Sequence, residues 1–310
     1  MKAMKMKLAV PLLVALAYGS SPALATPLLG SDLASFTVLG ATTVTNVSPS
    51  TIVGSVGVWS SGGANAITGF NSSPGVAVSD PQVTGGLVHA GTTTGTPNAM
   101  SAQAELTTAI TNLDSLAGGA VTTLINPDLA GLILAPGVYI VHAGTTNLSG
   151  ALTLNGFGNA NAAWVFLMDS TLVTSPNSVV NLINTGLGSG VYWDVRSSAT
   201  IDVNTTFLGN ILALSSISMN TTATDLCGRA LASTGAVTLQ QNSLSGSCTN
   251  ILGGSSGLSG GLEVVTTPGG GTQVVTLPSV SIPEPATLAL LGIGLFGLAT
   301  SQRRRPALPR

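Results

Sequence analysis

Short alternating segments recur through the second half of the chain at intervals near twenty residues. Segments 151–154, 170–173, 199–202, 217–220 and 237–240 share one apolar–polar alternation. Taking Leu154, Leu172, Ile201, Met219 and Leu239 as equivalent gives steps of 18, 29, 18 and 20 residues. The long step contains the Gly-rich stretch 184–190, which reads as a loop insertion. A second strand repeats as well: 209–213 returns as 228–232 after 19 residues. A period this short leaves room for two or three brief strands per turn, and no single turn buries a core by itself. The repeat therefore predicts a β-solenoid whose coils stack about 4.7–4.9 Å apart, each turning an apolar stripe inward.

One segment departs from this pattern. From 98 to 117 the residues are helix formers, and Ala102, Leu106, Ile110, Leu113 and Ala117 mark one apolar stripe. Pro97 is placed in the first turn, and Gly118 with Gly119 ends the helix. A lone helix in such a fold is expected along one face of the coils, covering it.

Charge narrows the function. Between Thr26 and Ile282 there is no lysine, and two arginines, Arg196 and Arg229, stand against ten acidic residues, a formal charge of −8. A body so poor in cations does not neutralise phosphates, which excludes nucleic acid as a partner. Abundant Val, Ile, Leu and Ala interleaved with Thr, Ser, Asn and Gly argue for strands and tight turns rather than disorder. The resulting surface is mostly hydroxyl and amide, a chemistry that orders water without holding ions strongly. Glycoside hydrolysis needs paired carboxyls, and here the acidic residues are scattered outside any motif. His89 and His142 stand singly and read as turn or surface residues. Asp169, Asp194, Asp202 and Asp225 could face one another between coils, as a weak Ca²⁺ site or as nothing. Arg229, in a strand of the repeat, reads as structural. The chain is expected to be no enzyme and to carry no cofactor and no metal.

Both ends read as addresses. Lys2, Lys5 and Lys7 precede an apolar run from Leu8 to Ala17 and the small-residue site Ala23-Leu24-Ala25, so 1–25 is a secretory signal peptide. At the other end Pro283-Glu284-Pro285 is followed by an apolar run over 286–299 and by Arg303-Arg304-Arg305. That run is shorter than the ~20 residues that span a bilayer comfortably. Together the three parts resemble the PEP-CTERM sorting tag of Gram-negative bacteria. The resemblance implies recognition by an exosortase, transient contact with the inner membrane, and delivery to the cell surface or extracellular matrix. A retained tail anchor is the alternative. Between body and tag, 252–282 is rich in Gly, Ser and Thr and reads as a flexible linker; a small hairpin is the other option. The body proper is then 26–251, and the sorting signal 283–310.

The body resembles the bacterial and fungal ice-binding proteins of the DUF3494 family. The pieces that carry this are 36–40 (FTVLG), 43–46 (TVTN), 52–58 (IVGSVGV), 102–106 (AQAEL), 134–139 (LAPGVY), 207–213 (FLGNILA) and 228–232 (GRALA). The resemblance implies a mainly β fold, an irregular right-handed β-helix with one long α-helix packed along its axis. It also implies a secreted protein that adsorbs to ice through a flat solenoid face and inhibits ice growth or recrystallisation. The alternative is a structural or adhesive matrix component, with extracellular polysaccharide as partner. Some family members carry a Thr-Ala/Gly-x-Thr/Asn motif at one corner of successive coils. Here the corresponding places are 174–177, 203–206, 221–224 and 241–244, and only the first and third keep both outer residues. The residues expected to face ice are Thr174, Asn177, Thr205, Thr206, Thr221 and Thr224.

Cys227 and Cys248 are the only cysteines, 21 residues or about one coil apart. In an exported protein they are expected to form a disulfide. The bridge would pin the C-terminal coil, which is expected to have no further coil stacked on it.

Overall fold

The computed structural model describes residues 25–60, 66–248, 252–267 and 269–281. Residues 1–24 of the expected signal peptide, and Pro283, Glu284 and Pro285 of the sorting motif, lie outside the described residues.

The repeat winds into stacked coils with three faces. Ala163–Met168 lies on the first face, Leu172–Val173 on the next and Val179–Thr185 on the third; Gly190–Val195 then returns to the first, in register with Ala163–Met168. Long strands turn the corner between faces. In Thr206–Ala213, Thr206 pairs with Val179 on one face, while 210–213 pair with 192–195 on the next. The same equivalence matches Gly209 to Gly228, as the 19-residue offset predicts. The first repeat is only partly right. Ile201, Met219 and Leu239 stack as expected, but Leu172 pairs with Ala199, two residues away. Leu154 belongs to another face, where it pairs with Leu182. Side chains two apart point the same way, so a shift of two preserves the alternation and escapes detection in sequence.

Stacking order departs from chain order. Beyond Thr224–Ala232 and Val237–Gln240 come the N-terminal strands: Phe36–Gly40 pairs with the former and Val44–Val47 with the latter. The C-terminal coil is therefore internal, and the expectation that it ends the stack is corrected. The N-terminal strands finish at one end with Val88–Ala90, and the chain resumes at the other end with Val121–Leu124. Eight strand steps separate the two, roughly 38 Å at strand spacing. The helix α1, Ala99–Asp114, is the return path, about 24 Å long and extended by a 3-10 turn at Ser115–Gly118. Asn98 caps it, its side chain accepting from the Ser101 N–H at 2.7 Å, so Pro97 stands before the helix rather than in its first turn. Ala117 lies past the helix and is exposed.

Two cores result. One fills the coils, with Tyr139, Phe166 and Trp193 stacked at centroid distances of 5.7 and 4.0 Å. The other lies between the coils and α1, where Ala102, Leu106, Ala109 and Leu113 meet Leu39, Val165, Leu167, Leu212 and Leu231. Strands between two cores are covered on both sides, which is why Ala163–Met168 and Gly190–Val195 are buried throughout, Asp194 included. Segment 252–281 packs on both cores, Leu258 joining the first and Leu262 and Val274 the second. Leu262–Thr266 and Thr272–Thr276 form an antiparallel hairpin, to which Ala25–Pro27 adds a third strand, and Leu262 and Val274 are buried with the helix. A hairpin replaces the expected flexible linker, because alternate apolar residues find a partner surface that the local sequence does not reveal.

Candidate functional site

The face built from Leu172–Val173, Ala199–Ile201, Ile217–Met219, Val237–Gln240, Val44–Val47 and Ile67–Thr68 is a six-stranded parallel sheet. None of its pairings contains a register shift. Inward positions carry Leu172, Ala199, Ile217, Val237, Val44 and Ile67. The outward row beside them is Val173, Thr200, Ser218, Thr238, Thr45 and Thr68, one residue per strand. A second row precedes it. Backbone bonds from Leu172 to Ser198, Ala199 to Ser216, Ile217 to Ala236, Val237 to Thr43 and Val44 to Ala66 align these small residues. Across strands the rows repeat at about 4.8 Å, and along each strand at about 6.6 Å.

Short side chains keep this grid flat. Threonine is stiff at χ1, so its methyl and hydroxyl hold fixed places. Among the described residues, no protein hydrogen bond engages the hydroxyls of Thr45, Thr200, Ser218 or Thr238, which leaves them to water. The face is almost uncharged. Its one carboxylate, Asp202, accepts from the Asn220 side chain at 2.8 Å and from the Val203 N–H. Such a surface presents methyl and hydroxyl groups at fixed spacing over an extended area, chemistry suited to holding an ordered layer of water.

The face ends at a corner where Asn177, Asn204, Thr222 and Gln241 all adopt positive φ, between 55° and 62°. These four coils turn there through a left-handed residue, and that residue decides what the next side chain does. The following residues, Ser178, Thr205, Ala223 and Asn242, are all buried. Their polar atoms serve the corner: Ser178 Oγ donates to the Leu148 and Ser175 carbonyls, Thr205 Oγ1 to that of Ser175, and Asn242 Nδ2 to those of Asn220 and Ala223. One residue further on, Val179, Thr206, Thr224 and Ser243 point outward as the first row of the neighbouring face, which Thr51 continues beside Ser243.

This geometry divides the six expected contact residues. Asn177 is exposed on the corner and Thr206 on the neighbouring face, while Thr221 and Thr224 are half-buried beside them. Thr174 and Thr205 are 2 % and 0 % exposed and meet inside, Oγ1 to Oγ1 at 3.2 Å. They cannot touch a surface and are corrected. Val173 pairs with Thr200, so Thr174 stands in the inward row with Ile201, and Thr205 follows the left-handed Asn204. The outward row of the six-stranded face was missed, although part of it was legible. Thr200, Ser218 and Thr238 each immediately precede the stacked residues Ile201, Met219 and Leu239.

Other polar groups are committed elsewhere. His142 Nδ1 lies 2.5 Å from Asp169, both exposed. Asp194 is buried beside Asp114, near the end of α1, and burial, together with Asp114, raises its pKa to about 8. Burial also pushes Asp225 up to about 8. The four aspartates therefore do not converge, and among the described residues no cluster of His, Cys, Asp and Glu could hold a metal. His89, expected at a turn or surface, is buried in Val88–Ala90 against the edge of Phe36, and desolvation lowers its pKa. Arg229 is structural, as expected, donating to the carbonyls of Ala34, Gly246, Ser256 and Gly257. Cys227 and Cys248 form a disulfide with Cα atoms 4.3 Å apart.

Comparison with known proteins agrees with this architecture. The family profile described as Ice-binding-like matches residues 38–245, and the PEP-CTERM protein-sorting motif matches 281–305. A protein of Nostoc sp. (strain HG1), named ice-binding protein, is 38% identical over 271 residues, covering 87% of this chain and 84% of its own. Ice-binding protein K3-B1 of Typhula ishikariensis is 30% identical, covering 59% and 75%. Among solved structures, the DUF3494 domain of Shewanella frigidimarina ice-binding protein_1 superposes with a TM-score of 0.61 at 29% identity, covering 71% of this chain and 97% of that one.

Proposed function

The chain belongs to the ice-binding-like family, and from that premise we propose that it is a secreted or cell-surface ice-binding protein whose contact surface is the six-stranded face. The observation that carries this is the unbroken row Thr200, Ser218, Thr238, Thr45 and Thr68, in register across neighbouring strands. Asn177, Thr206, Thr221 and Thr224 form the rim of that surface at the corner. Each Thr or Ser contact is weak, and the summed grid supplies the adsorption. Growth and recrystallisation of ice are inhibited because adsorbed protein pins the advancing surface. The activity is non-catalytic and needs no cofactor. The sorting motif implies an exosortase as a processing partner. The coils are taken as right-handed, since parallel crossovers have that hand in about 98% of cases.

Both cores are built from residues within Thr26–Ser281, which makes that stretch the unit to test. Thermal hysteresis and ice recrystallisation of this unit test the proposal. Ice shaping and slowed recrystallisation at micromolar protein are expected. Unaltered ice growth at high micromolar concentration would overturn it in favour of a matrix role, for which an extracellular polysaccharide is the candidate partner.

A further inference from the structure

Phe157 lies on the face of Val179–Thr185, away from the six-stranded sheet, and is 69 % exposed at a φ of 49°. A bulky residue seldom adopts this left-handed backbone. A bulge imposes it: Asn155 opposes Ile183 and Asn159 opposes Thr185, so three residues, 156–158, face the single Asn184. Gly156 seats the bulge, since a Cβ there would lie 2.5 Å from the Asn184 carbonyl oxygen. The Asn155 side chain fixes it, its Oδ1 accepting from the Phe157 N–H at 2.9 Å and from Asn184 Nδ2 at 3.1 Å. The fold thus sustains backbone strain to hold an aromatic ring in solvent, where burial gains nothing from it.

Amide groups surround the ring. Outward positions on Ala151–Asn159 are Thr153, Asn155 and Phe157, and beside them on Val179–Thr185 stand Asn181 and Ile183, both exposed. Among the described residues, no protein hydrogen bond uses the Asn181 side chain or Asn155 Nδ2. One aromatic face is therefore flanked by free amides in fixed register. The segments that build this patch are uncharged: 129–168 and 170–193 contain no Asp, Glu, Lys or Arg.

This chemistry selects among occupants. An anionic lipid surface is held by basic residues, and these segments have none. A protein partner is oriented by complementary charges, which are missing here as well. Ice adsorption needs a flat grid, which a projecting ring interrupts. A neutral sugar polymer meets every feature. A pyranose with equatorial hydroxyls presents a flat layer of C–H groups, which the electron-rich face of an aromatic ring attracts. Its hydroxyls donate to and accept from side-chain amides.

We propose that the patch around Phe157 is a second binding site, for a neutral β-linked hexose polymer, with the ring stacking on one sugar and Asn155 and Asn181 bonding its hydroxyls. The site lies on a different face from the row of Thr200, Ser218 and Thr238, so polymer and ice can be held at once. It does not rest on the ice-binding reading.

The protein, purified from the extracellular fraction of an expressing host, is run in native gels containing hydroxyethylcellulose, a neutral β-linked glucan, or alginate, an anionic polymer. Retardation by the glucan is expected, and none by alginate. Phe157→Gly removes the ring and suits the positive φ, so the variant should be at least as stable as wild type. Its affinity for the glucan should be weaker by roughly tenfold, and Phe157→Tyr should restore it. Recrystallisation inhibition should be the same in Phe157→Gly and wild type, and Thr238→Tyr should keep glucan binding. Equal retardation of wild type and Phe157→Gly, or none of wild type, overturns the site. Alginate retardation as strong as that by the glucan overturns the neutral ligand. A dimer that Phe157→Gly abolishes assigns the patch to a second copy, and loss of ice activity in Phe157→Gly assigns it to ice; either overturns the proposal. If the protein leaves ice growth untouched, the ice-binding reading falls and glucan retardation still decides this site.

Discussion

The guanidinium of Arg229 donates from Nη1 to Oδ1 of Asn210 at 2.8 Å, and the two residues are paired partners on adjacent coils. Asn210 spends its amide group on the carbonyls of Val191, Gly257 and Leu258, while Arg229 serves those of Ala34, Gly246, Ser256 and Gly257. One pair thus fastens both the N-terminal and the C-terminal segments to the coils. The cost of this burial shows in the guanidinium, whose pKa desolvation lowers to about 10.

Arg229→Met removes the donors and leaves buried carbonyls unpaired. Each unsatisfied group costs about 1–3 kcal/mol, so a loss of at least about 3 kcal/mol is expected in urea unfolding. Arg229→Lys should lose less, since an ammonium retains some of the donors. Wild-type stability in Arg229→Met would remove the pair from this role.

Stability should fall as the pH rises through neutrality. Asp194 titrates near pH 8 in the folded protein and near 3.8 when free. Between those values the folded state binds the extra proton, so unfolding becomes easier as pH rises, and the loss levels off above about pH 8. Asp225 acts in the same window and the same direction. The melting temperature of Asp194→Asn, measured from pH 5 to 9, should exceed wild type increasingly toward alkaline pH. A constant difference across that range would mean that Asp194 stays ionised in the fold.

Thr238→Tyr breaks the flat row without disturbing the core. Recrystallisation inhibition should fall by an order of magnitude or more, while unfolding free energy changes by about 0.5 kcal/mol or less, as at other surface sites. Thr221→Tyr and Thr224→Tyr, on the rim, should give smaller losses. Equal activity in Thr238→Tyr and wild type would move the contact surface elsewhere.

Thr205→Val tests the opposite assignment. Its hydroxyl bonds Thr174 and the Ser175 carbonyl inside the corner. Stability should drop by about 1 kcal/mol, with ice activity per folded molecule unchanged. A selective loss of ice activity would return Thr205 to the surface role the motif suggested.

Reduction of Cys227–Cys248 should destabilise the fold by roughly 3 kcal/mol, the entropy of closing a loop of this length. The bridge fastens the segment after Ser243–Ser245 inside the stack rather than closing its end. Titration of two thiols in the unreduced, unfolded protein would contradict the bridge.

Local chemistry by itself determined a good deal. The alternation at 199–202, 217–220 and 237–240 fixed which side chains point inward, because side-chain direction in a strand has period two. The stripe of α1 fixed a helix, and the two cysteines in an exported chain fixed their pairing. Three things were decided only by the tertiary structure. Single residues at positive φ, such as Asn204 and Thr222, reset that alternation at the corner and sent Thr205 inward. The N-terminal strands stacked upon the C-terminal coil, which added Thr45 and Thr68 to the outward row. Segment 262–276 became a hairpin because α1 offered it a surface. In each case the outcome rests on which segments meet across a long stretch of chain, and the energy of that meeting is not stored in the residues of either segment alone.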